Sequence, residues 1–464
     1  MADLLRMLSF ASRSLEAQRF GLDVTGQNIA NVNTAGYTRR VVDFGAVPPV
    51  ERESAGRGVE VLGVRSLRDH LLARRLLAEY PTEQREQAMA DMLGIVEVAL
   101  GAAGESIDAR LDDFFDAWAG LADAPTSATA RQEVVLQGQA LATAFRDMSD
   151  RLSAVARDTD QRVRSTVEQV NRLSERIASL NQALSETDPA SGEALALRDE
   201  VNKAAEQLAG LVDISAVQRA DGGLDVELAV SGRPLAIGDQ AYALDVTDRP
   251  VTGVAEIHAG GVIVTGSIDG GALGGLLRVR DVSVPAYRDA LDELAYTVVQ
   301  RVNDLHDDGG DLTGVAGGPF FDGLASAAGA AEAIAVQAAL LAPGGESLIA
   351  AAAPGAGVGD NANARALARL RDVRVLSGGT ATLGEGWAQI VYAVGRETSA
   401  ARETLASHRE VVSQIRNLQD SVSGVSLDEE AANMLRFQRA YEANARYFRA
   451  IDDTLEILMQ TFAQ

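Results

Sequence analysis

The side chains able to ligate a metal or move a proton near neutral pH are few: four histidines, His70, His258, His306 and His408, in 464 residues. None falls in a zinc-type HExxH arrangement, since His408 is followed by Arg409-Glu410-Val411-Val412. Asp304-Leu305-His306-Asp307-Asp308-Gly309 is acidic enough to suggest a calcium loop, but its twelfth position is Val315, where a bidentate Glu must stand. Gly270-Gly271-Ala272-Leu273-Gly274-Gly275 lacks the G-x-G-x-x-G spacing and reads as a tight turn. Lys203 is the only lysine and does not follow a glycine, so no phosphate-cradling GK[ST] exists, and no GxSxG elbow is present. With no cysteine, disulfides, thiolate nucleophiles and zinc–thiolate sites are excluded. The residues therefore predict no catalytic site, no metal and no cofactor.

The remaining signal lies in the elements rather than in any site. Apolar residues make up 47% of the chain and aromatics 5%, so the cores are built mainly from Leu, Val, Ile and Ala, and long helices are favoured. A single core rarely grows past ~300 residues, which predicts two or three domains. The net charge of −24 repels nucleic-acid phosphates and acidic lipid, so neither nucleic acid nor membrane surface is expected as a partner. The longest apolar stretch, Ala325 to Ala342, is broken by Glu332 and Gln337, so no membrane span is predicted. Met1-Ala2-Asp3-Leu4-Leu5-Arg6 has no basic leader followed by an apolar core, which predicts the absence of a cleaved signal peptide.

Both ends read as long amphipathic helices. Leu427, Met434, Tyr441, Phe448, Leu455 and Phe462 recur every seven residues, with Phe437, Asn444, Ile451 and Leu458 three residues after four of them. That 3-4 seam runs over about five heptads and about 55 Å of helix. Ser426 and Glu429 have the spacing of a capping box at its start. At the other end Leu8, Leu15, Leu22 and Ile29 repeat every seven, with Leu4 and Ala11 between. The two stripes are expected to pair as a coiled coil spanning 1–32 and 425–464. The C-terminal stripe carries large apolar side chains such as Phe437 and Phe448, and a two-helix hairpin cannot cover both of its flanks, so the surplus apolar surface implies neighbouring subunits.

Between the ends, 33–66 reads as an irregular, partly β connector. Residues 67–211 and 276–424 read as a helical bundle, interrupted near Pro81, Gly101–Gly104, Pro125 and Pro189. Its best seam is Val163, Val170, Ile177 and Leu184 with Thr166, Leu173 and Leu180. The Gly- and Ala-rich stretch 309–359 reads as short strands and turns. In 212–275 the period switches to two, with hairpin signals at Asp221-Gly222-Gly223 and Ala259-Gly260-Gly261, predicting a small, inserted all-β outer domain. The fold class is mainly α with an inserted β domain.

Asn28-Ile29-Ala30-Asn31-Val32-Asn33-Thr34-Ala35-Gly36-Tyr37-Thr38-Arg39 resembles the signature shared by the rod, hook and first hook-associated proteins of the bacterial flagellum. Asn28, Asn31, Thr34, Gly36 and Tyr37 carry the likeness, while Ala35 departs from a usual Pro. Gly424-Val425-Ser426-Leu427-Asp428-Glu429-Glu430 and Met434-Leu435-Arg436-Phe437-Gln438-Arg439-Ala440-Tyr441-Glu442-Ala443-Asn444 are similar to the C-terminal motif of the same axial family, with Gln438 and Asn444 at its fixed points. The wording of this motif, together with Leu291 to Phe321, resembles the hook–filament junction members (hook-associated protein 1) more than rod or hook subunits.

The resemblance implies a structural subunit that forms a homo-oligomeric ring, with hook protein on one side and the second junction protein on the other. It implies export through the flagellar type III apparatus to an extracellular position on the flagellum, with an export chaperone on the C-terminal helix. A rod or hook subunit of the same family, and a secreted stalked hydrolase or binding protein, are the competing readings.

Overall fold

The computed structural model describes residues 2–34, 36–47, 58–101, 106–250 and 252–462, with side chains described for all of these except 2–5 and 461–462. The side chains of Leu4 and Phe462, and all of Ala35, lie outside the described residues. Twelve α-helices and nine strands follow one another among them, mainly α with a few small antiparallel sheets.

The order is α1 (Ala2–Ala30), a hairpin of β1 (Arg40–Ala46) and β2 (Val59–Ser66), then α2 (His70–Leu100), α3 (Ile107–Asp123), α4 (Ala128–Glu186) and α5 (Gly192–Leu211). Apolar periodicity explains α4, the longest helix. Val163, Val170, Ile177 and Leu184 are all buried on one face, and Ser127 caps the first turn by accepting from the Ala130 N–H. Pro125 and Pro189 fall in the turns that end α3 and α4, as the sequence predicts. Pro81 does not interrupt: α2 runs through it, and the ring is buried inside a helix clamped between α11 (Leu383–Ser423) and α6 (Gly271–Arg278). Tertiary packing there outweighs the lost backbone hydrogen bond.

Seven short strands cover 214–263, in two sheets of order β3 (Ile214–Gln218), β4 (Leu224–Leu228), β5 (Pro234–Ile237), β6 (Gln240–Ala241) and β7 (Leu244–Asp248), β8 (Ala255–Ala259), β9 (Val262–Ile263). The two Gly-Gly signals fall at the β3–β4 and β8–β9 turns. These sheets do not have a core of their own. Val226, Leu228, Leu235 and Ile257 join one continuous core with the helices, lying against α4, where Asn171 and Asn181 bond the backbone at Leu244 and Leu224. Each strand is too short to bury a face alone, so the long helix supplies the second layer.

The 270–275 glycines are not a turn but the opening of α6. A Cβ on Gly275 would sit 2.4 Å from the Arg85 carbonyl oxygen, so the glycine lets α6 lie directly on α2. A π-turn at Val279–Ser283 joins α6 to α7 (Val284–Asp307) and carries buried Arg280 onto Asp160 at 2.7 Å.

Residues 309–359 form no extended strands. They hold α8 (Ala330–Ala333), α9 (Ala338–Leu341), turns and isolated bridges, wrapped on a cluster of Phe114, Trp118, Phe320, Phe321 and His306. The chain then passes α10 (Ala362–Arg369) to α11 and ends in α12 (Leu427–Phe462). No helix among the described residues is long and apolar enough to cross a membrane.

Candidate assembly interface

Helices α1 and α12 pack antiparallel. Asn28 meets Glu430, Gly21 meets Phe437 and Phe10 meets Tyr447, so the pairing holds one register over most of both helices. The β1–β2 hairpin leans on the same pair through Phe44, whose ring lies 6.0 Å from that of Phe437.

On α12 the seam residues divide by burial. Ile451 is buried, and Met434, Phe437, Asn444, Phe448, Leu455 and Leu458 are half-buried. Leu427 and Tyr441, at 52% and 39% exposure, and Gln438 face solvent. On α1 the fully buried row is not the leucine row. Ala11, Ser14, Ala17, Gly21, Val24, Thr25 and Asn28 are buried, whereas Leu8, Leu15, Leu22 and Ile29 are half-buried about a quarter-turn around the helix. A Cβ on Gly21 would sit 2.7 Å from the Phe437 ring, so glycine makes the slot that the phenylalanine fills.

Much apolar surface is left over. At about 100° per residue, Tyr441 and Met459 flank the α12 seam on one side, Tyr447 flanks it on the other, and Leu435 and Ile457 lie on the far side. Ile457 and Met459 are 64% and 65% exposed, and on α1 Met7 and Phe20 are exposed too. Leu435, Ile457 and Met459 thus stand exposed away from the seam, among charged residues such as Arg439, Arg446 and Asp453.

The motif residues close the inner end of this pair. Asn31 and Thr34 finish α1: Asn31 Nδ2 donates to the Gln27 carbonyl at 2.9 Å, and Thr34 Oγ1 to Asn31 Oδ1 at 3.2 Å. Gly36 takes φ +86°, a left-handed conformation that side-chain-bearing residues avoid, and so turns the chain towards β1. Tyr37 then folds back, its hydroxyl donating to Asn28 Oδ1 at 2.8 Å while the Arg40 guanidinium lies over its ring at 5.0 Å. Asn28 also donates to the Arg40 carbonyl at 2.9 Å and accepts from its N–H at 3.0 Å.

Five participants were not among the predicted site residues: Thr38, Arg39, Arg40, Asp199 and Glu430. Buried Glu430 accepts from Asn28 at 3.0 Å and from Arg39 at 2.8 Å, and Thr38 donates to Asp199 on α5. Removing one partner of such a buried ion pair costs about 3–5 kcal/mol. Burial raises the Asp199 carboxyl above its usual range, against the pull of Thr38, Arg40 and Arg68. Burial likewise raises Tyr37 and lowers Arg68. Arg39 and Glu430 stand inside the two quoted motifs and could have been found there as an opposite-charge pair; Asp199 carries no local signal.

Among the described residues no group of three or more His, Asp or Glu side chains could hold a metal ion. His306 is 1% exposed and lies in the aromatic core. Its Nε2 accepts from the Ala350 N–H at 3.1 Å, leaving Nδ1 to donate to the Gly318 carbonyl, and burial lowers its pKa to about 4.

Comparison with known proteins accounts for this arrangement. Residues 93–321 match the family described as flagellar hook-associated protein FlgK helical domain. Residues 8–38 match flagella basal body rod protein, and 420–461 the flagellar basal body rod FlgEFG protein C-terminal. Flagellar hook-associated protein 1 of Bacillus subtilis is 27% identical, over 97% of this chain and 96% of that protein. The chain is a homologue of flagellar hook-associated protein 1 over nearly its full length.

The hook-associated protein 1 of Escherichia coli is 24% identical over 98% of this chain and 99% of that one. The flagellar hook junction protein FlgK from Burkholderia pseudomallei shares the fold, with TM-score 0.67 and 16% identity, over 75% of this chain and all of that one. The hook-associated protein 1 family is structural, not enzymatic, and its members are components of the bacterial flagellum.

Proposed function

We propose that this chain is a subunit of the ring joining hook to filament, and that α1 and α12 line the ring's wall with their apolar faces against neighbouring copies. The observation that carries this reading is the set of large apolar side chains, Leu435, Ile457 and Met459, that α12 leaves exposed away from the face packed on α1 and the β1–β2 hairpin. Burying it on assembly couples ordering of the terminal pair to polymerisation. Hook protein on one side and the second junction protein on the other are the expected axial neighbours. Export through the flagellar type III apparatus, with a chaperone gripping α12 until secretion, is the route proposed to the extracellular flagellum. The helical-domain match over 93–321 favours a junction role over a rod or hook subunit. Among the described residues no group of His, Asp or Glu able to hold a metal ion supports the hydrolase reading.

The test is complementation of a deletion strain. A strain lacking the gene is expected to carry hooks without filaments and to lose filament subunits to the medium. Ile457→Asp, on the far side of α12, is expected to leave the purified chain folded yet fail to restore filaments; Phe448→Asp, inside the seam, is expected to fail as well. Normal filaments on the Ile457→Asp strain would refute the reading.

A further inference from the structure

Three consecutive residues before and in β1 reach four distant elements. Thr38 donates to Asp199 on α5. The Arg39 N–H donates to the Ser423 carbonyl at the end of α11 at 3.0 Å, while its guanidinium binds Glu430 of α12 at 2.8 Å and Glu429 at 2.6 Å. Arg40 pairs through its backbone with Asn28 of α1. Asn28 and Glu430 bond each other at 3.0 Å, across 402 positions of sequence, and are 1% and 2% exposed. Further along, beyond Met434, the extensive packing of α12 is with α1, its charged side chains face solvent, and of its polar ones only Asn444 is half-buried in the seam. The buried polar anchoring of the terminal pair is thus concentrated at one end.

We propose that this cluster is a clasp in which Glu430 locks both chain ends to the helical body as one unit. Without the Glu430 carboxylate, Asn28 Nδ2 and the Arg39 guanidinium each lose an acceptor in a buried place, so the turn at 31–40 and the first turn of α12 open together. The pair α1–α12 therefore opens from its free end inward and stops at the clasp. Asn28 and Glu430 are positioning residues: they set where both terminal helices leave the body.

The experiment is hydrogen–deuterium exchange on the full-length chain. In the unmutated protein, segments 28–40 and 427–434 are expected to exchange more slowly than 6–20 and 441–459. Glu430→Ala is expected to speed exchange at least tenfold in 28–40 and 427–434 together, with 163–184 of α4 unchanged. If Glu430→Ala also exposes α4, the isosteric Glu430→Gln decides, since a neutral amide can accept from one donor but not both. It is expected to give a smaller rise in the same two segments, and combining Arg39→Glu with Glu430→Arg is expected to reverse part of it. The proposal is overturned if either variant affects 427–434 alone, if Glu430→Gln changes neither segment, or if 28–40 of the unmutated chain exchanges like an unfolded peptide.

Discussion

Replacing Gly21 by Ala tests whether close approach of α1 and α12 sets the terminal pair. In a helix interior, Gly→Ala alone stabilises by about 1 kcal/mol. At Gly21 the new methyl would lie 2.7–2.8 Å from three ring atoms of Phe437. That ring has little freedom to retreat, because it leans on Phe44 at 6.0 Å and carries the Arg436 guanidinium at 5.1 Å. Overpacking of this kind costs about 1–3 kcal/mol, so the net effect is a loss of up to about 2 kcal/mol. That corresponds to opening up to about 30-fold more frequent. Gly26 is the control: nothing lies within 4 Å of its added Cβ, so Gly26→Ala should gain the full ~1 kcal/mol. Exchange of the 14–26 amides in the full-length chain reads both. Gly21→Ala should speed exchange, Gly26→Ala should slow it about fivefold, and Phe437→Leu should relieve Gly21→Ala. Equal slowing by both alanines would refute the slot argument.

Two further outcomes concern the helical body. His306 is neutral when folded, with its pKa lowered from 6.5 to about 4, so its contribution is fully present above pH 6.5 and is lost as pH falls towards 4. The lost portion is about 3 kcal/mol, and thermal melts at pH 7.5 and pH 4.5 should show a steeper fall for the unmutated chain than for His306→Gln. Gly138→Ala on α4 puts a Cβ 2.5 Å from the Phe320 ring and 3.3 Å from Phe114, so it should lower stability by about 1–2 kcal/mol in a denaturant titration despite its better helix propensity.

Long, strongly periodic elements were legible in the sequence. The α4 seam from Val163 to Leu184, the turns at Pro125 and Pro189, and both terminal helices follow from 3.6-residue periodicity and breaker residues, which act locally. What depends on distant packing was not legible. Pro81 is tolerated because α11 and α6 hold α2 from both sides. The β segment shares its core with α4 because its strands are too short to close one. The leucine row of α1 drew attention by its size, yet the residues fully buried on α1 include the small Ala11, Ala17 and Gly21, and it is the missing Cβ of Gly21 that admits Phe437. The motif residues Asn28 and Tyr37 were found by resemblance. Their partners Arg39 and Glu430 lay unread inside the same motifs, because pairing across hundreds of positions leaves no periodic trace.

The central claim is that neighbouring subunits cover the apolar surface left bare on α1 and α12. Peroxide oxidation of Met459, 65% exposed in the single chain, measures this directly when the free protein is compared with assembled hook–junction complexes, with Met92 at 1% exposure as the protected reference. Met459 should oxidise readily in the free chain and become as resistant as Met92 once assembled. Equal oxidation of Met459 in both states would contradict the account.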